Sequence, residues 1–481
     1  MSLESLAVLL PLIILGTTAI VVMLAIAVCR NHVVVFLLTL AGMAAAVATL
    51  PWKAKAASVR VTPLLTLDGY AVLFIGLLVA AGAASVLLSF GYLRQYKGHR
   101  EEFYILVLLA TLGSSVLAAS NHFASFFLGL ELLSVSLYGL IAYPRTTDRH
   151  IEAGVKYLIL AAVSSAFLLF GMALIYAGSG NMAIDRIGPM LRSARLQGGD
   201  PWLLAGLGMM VAAVGFKLAL VPFHLWTPDA YQGAPAPVTA FVATVSKGGV
   251  AALLLRLFPP GSIEADSSLF TAFAAIAVAT MLAGNLLALA QNNVKRILAY
   301  SSIAHLGYLL VAFLGGGAQA VTAVTFYLVT YFVTTLGAFG VITVFSGPDG
   351  EAESLEEYRG LFRSRPWLAG VFTAMVLSLA GLPLTAGFVG KFYLVVAGVN
   401  GSLWTLVIVL VLSSTIGLYY YLRILVAIYA QDTEPRPSVS PPSTPAVPLS
   451  SGLTLAALTL LLIWLGTAPA SLIHLIQTMT R

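Results

Sequence analysis

Long apolar runs alternate with short polar links along almost the whole chain. Most runs approach or exceed the roughly 20 residues that an α-helix needs to cross the hydrocarbon of a bilayer. The pattern therefore predicts an all-α polytopic membrane protein with about fourteen transmembrane helices. The predicted spans lie near residues 3–29, 33–50, 70–93, 103–119, 122–142, 152–177, 201–222, 236–258, 268–290, 295–314, 319–346, 366–396, 403–429 and 451–475.

The stretch from Gly215 to Lys247 departs from this pattern, because it contains a Pro-rich knot between two lysines that lie inside apolar runs. Proline lacks an amide hydrogen and crowds the preceding helical turn, so one continuous helix is excluded here. Opened backbone is tolerated at membrane depth only where protein or a water-filled cavity surrounds it. An opened helix beside a buried charge indicates transport. The prolines of the knot are Pro222, Pro228, Pro235 and Pro237.

A second broken helix is predicted at 366–396, where Pro383 precedes Lys391. The two broken helices are the seventh and twelfth spans. A repeat with an odd number of spans inserts upside down relative to its partner, so helices 4–8 and 9–13 are predicted to be inverted five-helix repeats. Paired broken helices at matching places of two halves point to a transport site.

This organisation divides the chain into five parts. They are helices 1–3 in 1–93, the first repeat in 103–258, the second repeat in 268–430, a Pro/Ser-rich linker in 431–450 and a C-terminal helix in 451–481.

The N-terminal run carries Glu4 and no basic region. We therefore expect a retained first span rather than a cleaved signal peptide.

Three links carry patterns of their own. Residues 51–69 alternate apolar and polar positions, which predicts a short extended hairpin. Residues 178–200 predict a short surface helix. The acidic residues 349–363 predict an amphipathic interfacial helix, for which a solvated face is favoured over a docking surface.

Composition agrees with a membrane protein, since 59% of the residues are hydrophobic and 9% are charged. The net charge of +6 fits a bias of basic residues toward the inner side better than an anionic partner such as nucleic acid. With fourteen spans, the basic inner links include Lys295 and Arg296. This arrangement places both termini on the outer side of the membrane.

Cys29 is the only cysteine, so an intrachain disulfide and a cysteine-ligated iron–sulfur cluster are both excluded. The sequence also lacks a phosphate-binding GxxxxGK[ST] loop. No cofactor is expected in this chain.

The charges inside the spans are the candidates for function. Glu131 is the only mid-span acid, whereas the spans hold Lys156, Lys217, Lys247 and Lys391. A charge at the bilayer centre costs about 2.5–3.5 kcal/mol on insertion scales. Lysine can avoid this cost by losing its proton, whereas arginine stays charged. A row of titratable lysines is what proton movement requires.

Each candidate also has a structural interpretation. Lys156 lies near the end of its span, so snorkelling and proton transfer are equally favoured. For Lys217, Lys247 and Lys391 function is favoured over a structural ion pair. Glu131 needs a cation to remain ionised, and Lys217 is the expected partner.

Other polar residues are secondary candidates. His305 is either a proton relay or a core histidine satisfied by hydroxyl groups. Within the Pro knot, His224 and Asp229 are expected to bind freed backbone groups rather than to gate. Packing is the default role for Tyr300, Tyr308, Ser301 and Ser302, with a water-holding role as the alternative.

Several motifs identify a family. KLALVPFHLWTPDAYQGAPAPV resembles the signature of the antiporter-like membrane subunits of respiratory complex I and of multisubunit cation/proton antiporters. ATVSKGGV, YSSIAHLGYLLVA, SLAGLPLTAGFVGKFY and GLYYYLR are similar to the subunit N branch, which belongs to bacterial proton-pumping NADH:quinone oxidoreductase. The resemblance covers essentially the whole chain.

The resemblance implies two half-channels that meet at a hydrated axis. By position, Glu131 matches the fifth-helix glutamate and Lys217 its seventh-helix partner. Lys247 matches the central lysine, and Lys391 the exit lysine. NADH, FMN, iron–sulfur clusters and quinone are expected in partner subunits, and neighbouring membrane subunits are the expected partners.

Two rival functions stay open at this point. The first is a subunit of a sodium/proton antiporter. Sodium sites favour carboxylate and carbonyl ligands, and the spans contain only one mid-span acid. A quinone-binding subunit is the other alternative, but the sequence has no evident histidine–carboxylate or tyrosine–histidine headgroup pair.

Overall fold

A computed structural model describes residues 3–50, 59–60, 62–96, 98–143, 148–190, 201–259, 262–263, 267–346, 350–430 and 447–480. The helices bounded within them are α1 (Leu3–Val28), α2 (His32–Ala48), α3 (Gly69–Gln95), α4 (Glu102–Ala119), α5 (Phe123–Ile141), α6 (Asp148–Ser179), α7 (Pro201–Leu218), α8 (Trp226–Gly233), α9 (Ala236–Phe241), α10 (Lys247–Leu257), α11 (Ser268–Leu289), α12 (Val294–Gly315), α13 (Gly317–Phe345), α14 (Leu361–Ser364), α15 (Pro366–Ala380), α16 (Ala386–Asn400), α17 (Trp404–Tyr429), α18 (Leu449–Thr467) and α19 (Ala470–Thr480).

The described residues confirm a polytopic membrane protein that is helical except for one short hairpin. Twelve of their helical segments are long and apolar enough to cross a membrane. Three shorter apolar helices, α2, α15 and α16, account for the predicted second span and for the two parts of the predicted twelfth. The predicted last span is too long, since its helix ends at Thr467 and Pro469 separates it from α19.

The centre of the bundle is formed by the helices with the most buried surfaces. In the continuous segment Ala236–Leu257 and in helix α12, 100% of the residues in the most apolar 18-residue stretch are buried, compared with 33% in α18. A π-helical turn, Val242–Ser246, joins α9 to α10 within that segment. Such turns widen the helix locally and are frequent at functional sites. The central helices therefore face protein on all sides, as polar side chains within them require.

Both predicted helix breaks are present and share one backbone motif. At the end of α7, the amide of Leu220 donates to the carbonyl of Gly215, 2.8 Å away, and Ala219 has a φ of 60°. At the end of α15, the amide of Leu382 donates to the carbonyl of Leu377, 3.1 Å away, and Gly381 has a φ of 82°. Each helix thus ends in a left-handed residue that closes its last turn.

A second motif recurs in the two predicted halves. His122 forms an antiparallel bridge with Ala183, and Asn293 forms one with Ser354. A 3₁₀ helix follows each bridge, Ile184–Arg186 in the first case and Leu355–Tyr358 in the second. The recurring motifs support the division into 103–258 and 268–430, which stays a prediction together with its inverted orientation. The predicted Pro/Ser linker lies mostly outside the described residues.

The acidic link differs from the predicted interfacial helix. Residues 351–358, which we name the strap, run extended and end in the 3₁₀ helix. The side chains of Glu351 and Glu353 are only 10% and 18% exposed, because both bind basic residues of the bundle. Local composition suggested a helix, but long-range ion pairs hold the strap against the protein.

The predicted hairpin is confirmed by the pairing of β1 (Val59–Arg60) with β2 (Thr66–Leu67). Directly after β2, Asp68 accepts the amide of Ala71 at 2.8 Å and caps α3. Arg256 binds both oxygens of Asp68 at 2.8 and 3.1 Å. Its Nε also donates to the carbonyl of Ala118 at 3.1 Å, so one arginine joins three elements.

Replacement of Arg256 by glutamine is expected to destabilise the fold by about 2–4 kcal/mol, because it leaves a partly buried carboxylate without its cation. Thermal unfolding in detergent measures the loss. Arg30→Gln is the control, since Arg30 is 48% exposed and its pair with Glu102 is expected to contribute less than about 1 kcal/mol. Equal losses for the two variants would contradict the role of Arg256.

Candidate functional site

Three of the predicted lysines are buried in the bundle and share one environment. Lys217 and Lys247 are 1% exposed and Lys391 is 8% exposed. Each amine donates to a serine hydroxyl: Lys217 to Ser134 at 2.7 Å, Lys247 to Ser302 at 2.6 Å and Lys391 to Ser414 at 2.9 Å. None of the ion pairs formed by the described residues includes these lysines.

Aromatic rings complete these sites. The amine of Lys217 lies 5.4 Å from the ring centre of Tyr157, and that of Lys247 lies 5.3 Å from Tyr231. A ring face attracts a cation without offering it a proton acceptor. The hydroxyl group is therefore the partner that can exchange a proton with the amine.

Glu131 lies near Lys217 without a direct bond to it. Its carboxylate accepts a very short hydrogen bond from the hydroxyl of Ser165 on α6. Ser134, the acceptor of Lys217, follows Glu131 by less than one turn on α5. Glu131 and the serine that binds Lys217 thus lie on one face of α5. Each of the two expected partners binds a serine, and no ion pair between them occurs among the described residues.

Ser302 on α12 is the point where Lys247 meets the second predicted half. Besides the bond from Lys247, its oxygen lies 2.6 Å from the hydroxyl of Tyr331 and 3.3 Å from that of Tyr231. Three hydroxyl or amine groups therefore converge on one serine in a fully buried part of the protein. Such a cluster can pass a proton by reorienting its O–H bonds.

His305 lies one turn further along α12 and is 4% exposed. Its Nδ1 is 2.7 Å from the hydroxyl of Tyr327, and its Nε2 is 3.1 Å from that of Tyr421. Tyr421 also makes a very short hydrogen bond with Ser301. The histidine therefore has hydroxyl partners on both ring nitrogens, which satisfies its polar atoms and also fits a relay.

An amide-centred cluster lies between His305 and Lys391. Asn285 donates to Tyr308 at 2.8 Å and to Ser413 at 2.6 Å, and accepts from Tyr420 at 2.9 Å. The ring of Tyr308 is 5.5 Å from the ring of His305 and 5.4 Å from the amine of Lys391. Polar groups thus continue from the central helix α12 to the second helix break.

Lys391 binds the opened end of α15. Its amine donates to the carbonyls of Leu379 and Ala380, both at 2.9 Å. A Cβ at Gly381 would lie 2.8 Å from Cδ of this lysine, so the glycine permits both the left-handed turn and the close approach. The break therefore supplies acceptors that a regular helix would not leave free.

Lys156 lies apart from this row. Its side chain is 48% exposed and pairs with Glu152 at 2.7 Å and with Asp229 at 3.1 Å. Asp229 also pairs with Arg296 at 2.9 Å, so it does not take the backbone role expected for it. Partial burial alone would raise the pKa of Asp229, but the bonds from Arg296 and Lys156 outweigh burial and hold it below the usual value.

Sequence reasoning missed most of the hydroxyl partners. The sequence signal for these partners is the presence of tyrosine and serine inside apolar runs. Packing alone also explains such residues, so the signal does not identify a site. The missed partners are Ser134, Ser165, Tyr231, Tyr327, Tyr331, Ser413, Ser414 and Tyr421. The charge pattern places Lys295 in an inner link, but the side chain is fully buried at the start of α12. No group of three or more potential metal ligands occurs within the described part of the chain.

Comparison with known proteins identifies a family that matches this chain. Residues 120–417 match the family model described as NADH:quinone oxidoreductase/Mrp antiporter, transmembrane. A chain of respiratory complex I from Thermus thermophilus, in a structure with bound aureothin, is 34% identical, with a TM-score of 0.82; the match covers 96% of this chain and 98% of that one.

Two further structures share the fold. A chain of the archaeal membrane-bound sulfane sulfur reductase is 24% identical with a TM-score of 0.83, and the match covers 99% of this chain and 97% of that chain. A chain of the Mrp complex from a Dietzia species is 23% identical with a TM-score of 0.85, covering 100% of this chain and 97% of that chain. The matched region and the 34% identity together show that this chain belongs to the NADH:quinone oxidoreductase/Mrp antiporter family of antiporter-like membrane subunits.

Proposed function

We propose that this chain is a proton-translocating membrane subunit, of the subunit N type, in an NADH:quinone oxidoreductase. The observation that carries the proposal is the set of three buried lysines, each bound to a serine hydroxyl, with further hydroxyl groups between Lys247 and Lys391. The complex I chain from Thermus thermophilus supports this choice within the family, because it is 34% identical over 96% of the chain.

Glu131 and Lys217 form the switch of the proposed mechanism. They lie close enough to influence each other, yet each is bound to a serine, so no direct ion pair fixes the charge of either side chain. A change of charge at this pair alters the electrostatic potential at Lys247 and thus its affinity for a proton. The effect is strong because the protein interior screens charges weakly.

The proton leaves Lys247 through the hydroxyl of Ser302. It then passes the tyrosine hydroxyls around His305 and the hydroxyls of Tyr308 and Ser413, which Asn285 orients, on the way to Lys391. Lys391 releases it on the far side of the second break. Lys156 serves as an additional carrier in front of this row or as an anchor at the surface.

The driving energy comes from elsewhere in the complex. Moving one charge against 100 mV costs about 2.3 kcal/mol. Partner subunits that carry NADH, FMN, iron–sulfur clusters and quinone supply this energy, and neighbouring membrane subunits transmit it. We place the chain in a bacterial inner membrane with both termini on the periplasmic side.

A sodium/proton antiporter subunit is the second candidate, because the matching family model includes Mrp antiporters. The two candidates differ in what drives the proton. Proton uptake into inverted vesicles that starts with NADH and needs no sodium supports the oxidoreductase. Proton uptake that requires a sodium gradient and does not depend on NADH favours the antiporter.

Replacement of Lys247 by alanine is expected to reduce NADH-driven proton uptake in inverted vesicles to background. Lys247→Arg is expected to reduce it at least about tenfold as well, because arginine keeps the charge but does not release a proton. The protein level in the membrane and the number of electrons transferred serve as controls. Unchanged proton uptake per electron in Lys247→Ala would refute the assignment.

Replacement of Glu131 by glutamine keeps the shape of the side chain and removes its charge. We expect proton uptake to fall about tenfold, because the potential at Lys217 and Lys247 no longer changes. Glu102→Gln is the matched control, since Glu102 is 38% exposed and pairs with Arg30 at the surface. Equal activity of the two variants would show that the charge of Glu131 is not used.

A further inference from the structure

The break between α8 and α9 leaves backbone carbonyls without helical partners. Pro235 has no amide hydrogen, so it cannot complete the last turn of α8. The amine of Lys295, at the start of α12, donates to the carbonyls of Gln232 at 3.0 Å and Ala234 at 2.6 Å. A lysine from another helix therefore replaces the missing donors.

The same break leaves an amide free on its other side, at the start of α9. One oxygen of Glu351, in the strap, accepts the amide of Ala236 at 2.7 Å. The other oxygen of Glu351 pairs with Lys295 at 2.6 Å, and the two side chains are 10% and 0% exposed. The cation thus faces carbonyls and the carboxylate faces an amide. Exchanging the two charged side chains would therefore place each charge beside a backbone group that repels it.

The strap is fixed to the bundle beside this pair. The amide of Val294 donates to the carbonyl of Glu353 at 2.6 Å, which attaches the strap to the start of α12. The carboxylate of Glu353 binds Arg149 at 2.9 Å and Asn293 at 2.7 Å. The strap consequently contacts helices of both predicted halves around the break.

This site and the Lys247 site lie on the same two helices. Ala236 precedes Lys247 by eleven residues in one continuous helical segment, a rise of about 16 Å. Lys295 precedes Ser302 by seven residues on α12, which places both on the same face. Helix α12 is therefore attached to the helix of Lys247 at two points, once at the break and once at the serine.

We propose that Lys295 and Glu351 are positioning residues that hold the start of α9 against α12 and thereby set the contact between Lys247 and Ser302. This inference rests on the proposed function, in which that contact passes the proton between the two halves. A shift of about 1 Å at a reacting contact can lower a rate by up to about a hundredfold.

Amide hydrogen exchange of the purified complex tests the attachment directly. Lys295→Met and Glu351→Gln are expected to increase exchange at residues 236–241 at least about tenfold, because the capping contacts of the break are lost. Glu353→Gln is the matched control in the same strap, since Glu353 binds side chains and leaves the backbone of the break untouched. Unchanged exchange in both variants would overturn the attachment.

A charge exchange separates capping from simple attraction. The double variant Lys295→Glu/Glu351→Lys keeps an ion pair, but it places a carboxylate beside carbonyls and an amine beside an amide. We expect it to exchange as fast as the single variants. Normal protection in the double variant would show that charge alone, and not the direction of the pair, holds the break.

Proton uptake in inverted vesicles tests the consequence for Lys247. Lys295→Met and Glu351→Gln are expected to slow uptake between about tenfold and a hundredfold at a normal protein level, while Glu353→Gln keeps most of it. Increased exchange with unchanged uptake would overturn the positioning role and leave the proposed function intact. If Lys247→Ala itself left uptake unchanged, the proposed function would fail, and exchange alone would decide whether the pair holds the break.

Discussion

An amine buried inside a membrane protein must bind an acceptor, and the kind of acceptor decides what the amine can do. Lys295 binds a carboxylate and two carbonyls, so its proton is held in place. Lys247 binds a serine hydroxyl, which can accept from an ammonium group or donate to a neutral amine. The structure thus contains two classes of buried lysine, one suited to holding backbone and one suited to exchanging protons.

The helix breaks connect these classes. At two of them, a lysine from a nearby element binds carbonyls that the opened turn leaves free: Lys295 at the break between α8 and α9, and Lys391 at the end of α15. Lys391 differs because its remaining partner is Ser414 and no carboxylate among the described residues pairs with it. The same backbone requirement is therefore met by a carboxylate-paired lysine at one break and by a serine-bound lysine at the other.

Local signals in the sequence predict most of the spans, the breaks at the ends of α7 and α15, and three of the four buried lysines among the described residues. Proline or lysine inside an apolar run indicates a helix break or a buried polar site, because each residue is costly in a regular membrane helix. The partners were not predictable, since Tyr327 and Tyr421 reach His305 from distant helices. Lys295 was misplaced for the same reason: a basic residue at a helix start resembles a surface residue until Glu351 is known to cover it.

In the proposed mechanism the proton leaves Lys247 through the hydroxyl of Ser302, and the rate of NADH-driven proton uptake in vesicles carrying Ser302→Ala measures this step. Ser89→Ala is the control, because Ser89 is equally buried and its hydroxyl donates only to its own helix, at Ser85. We expect a rate at least about tenfold lower for Ser302→Ala and an unchanged rate for Ser89→Ala. Equal rates in the two variants would contradict the proposed step.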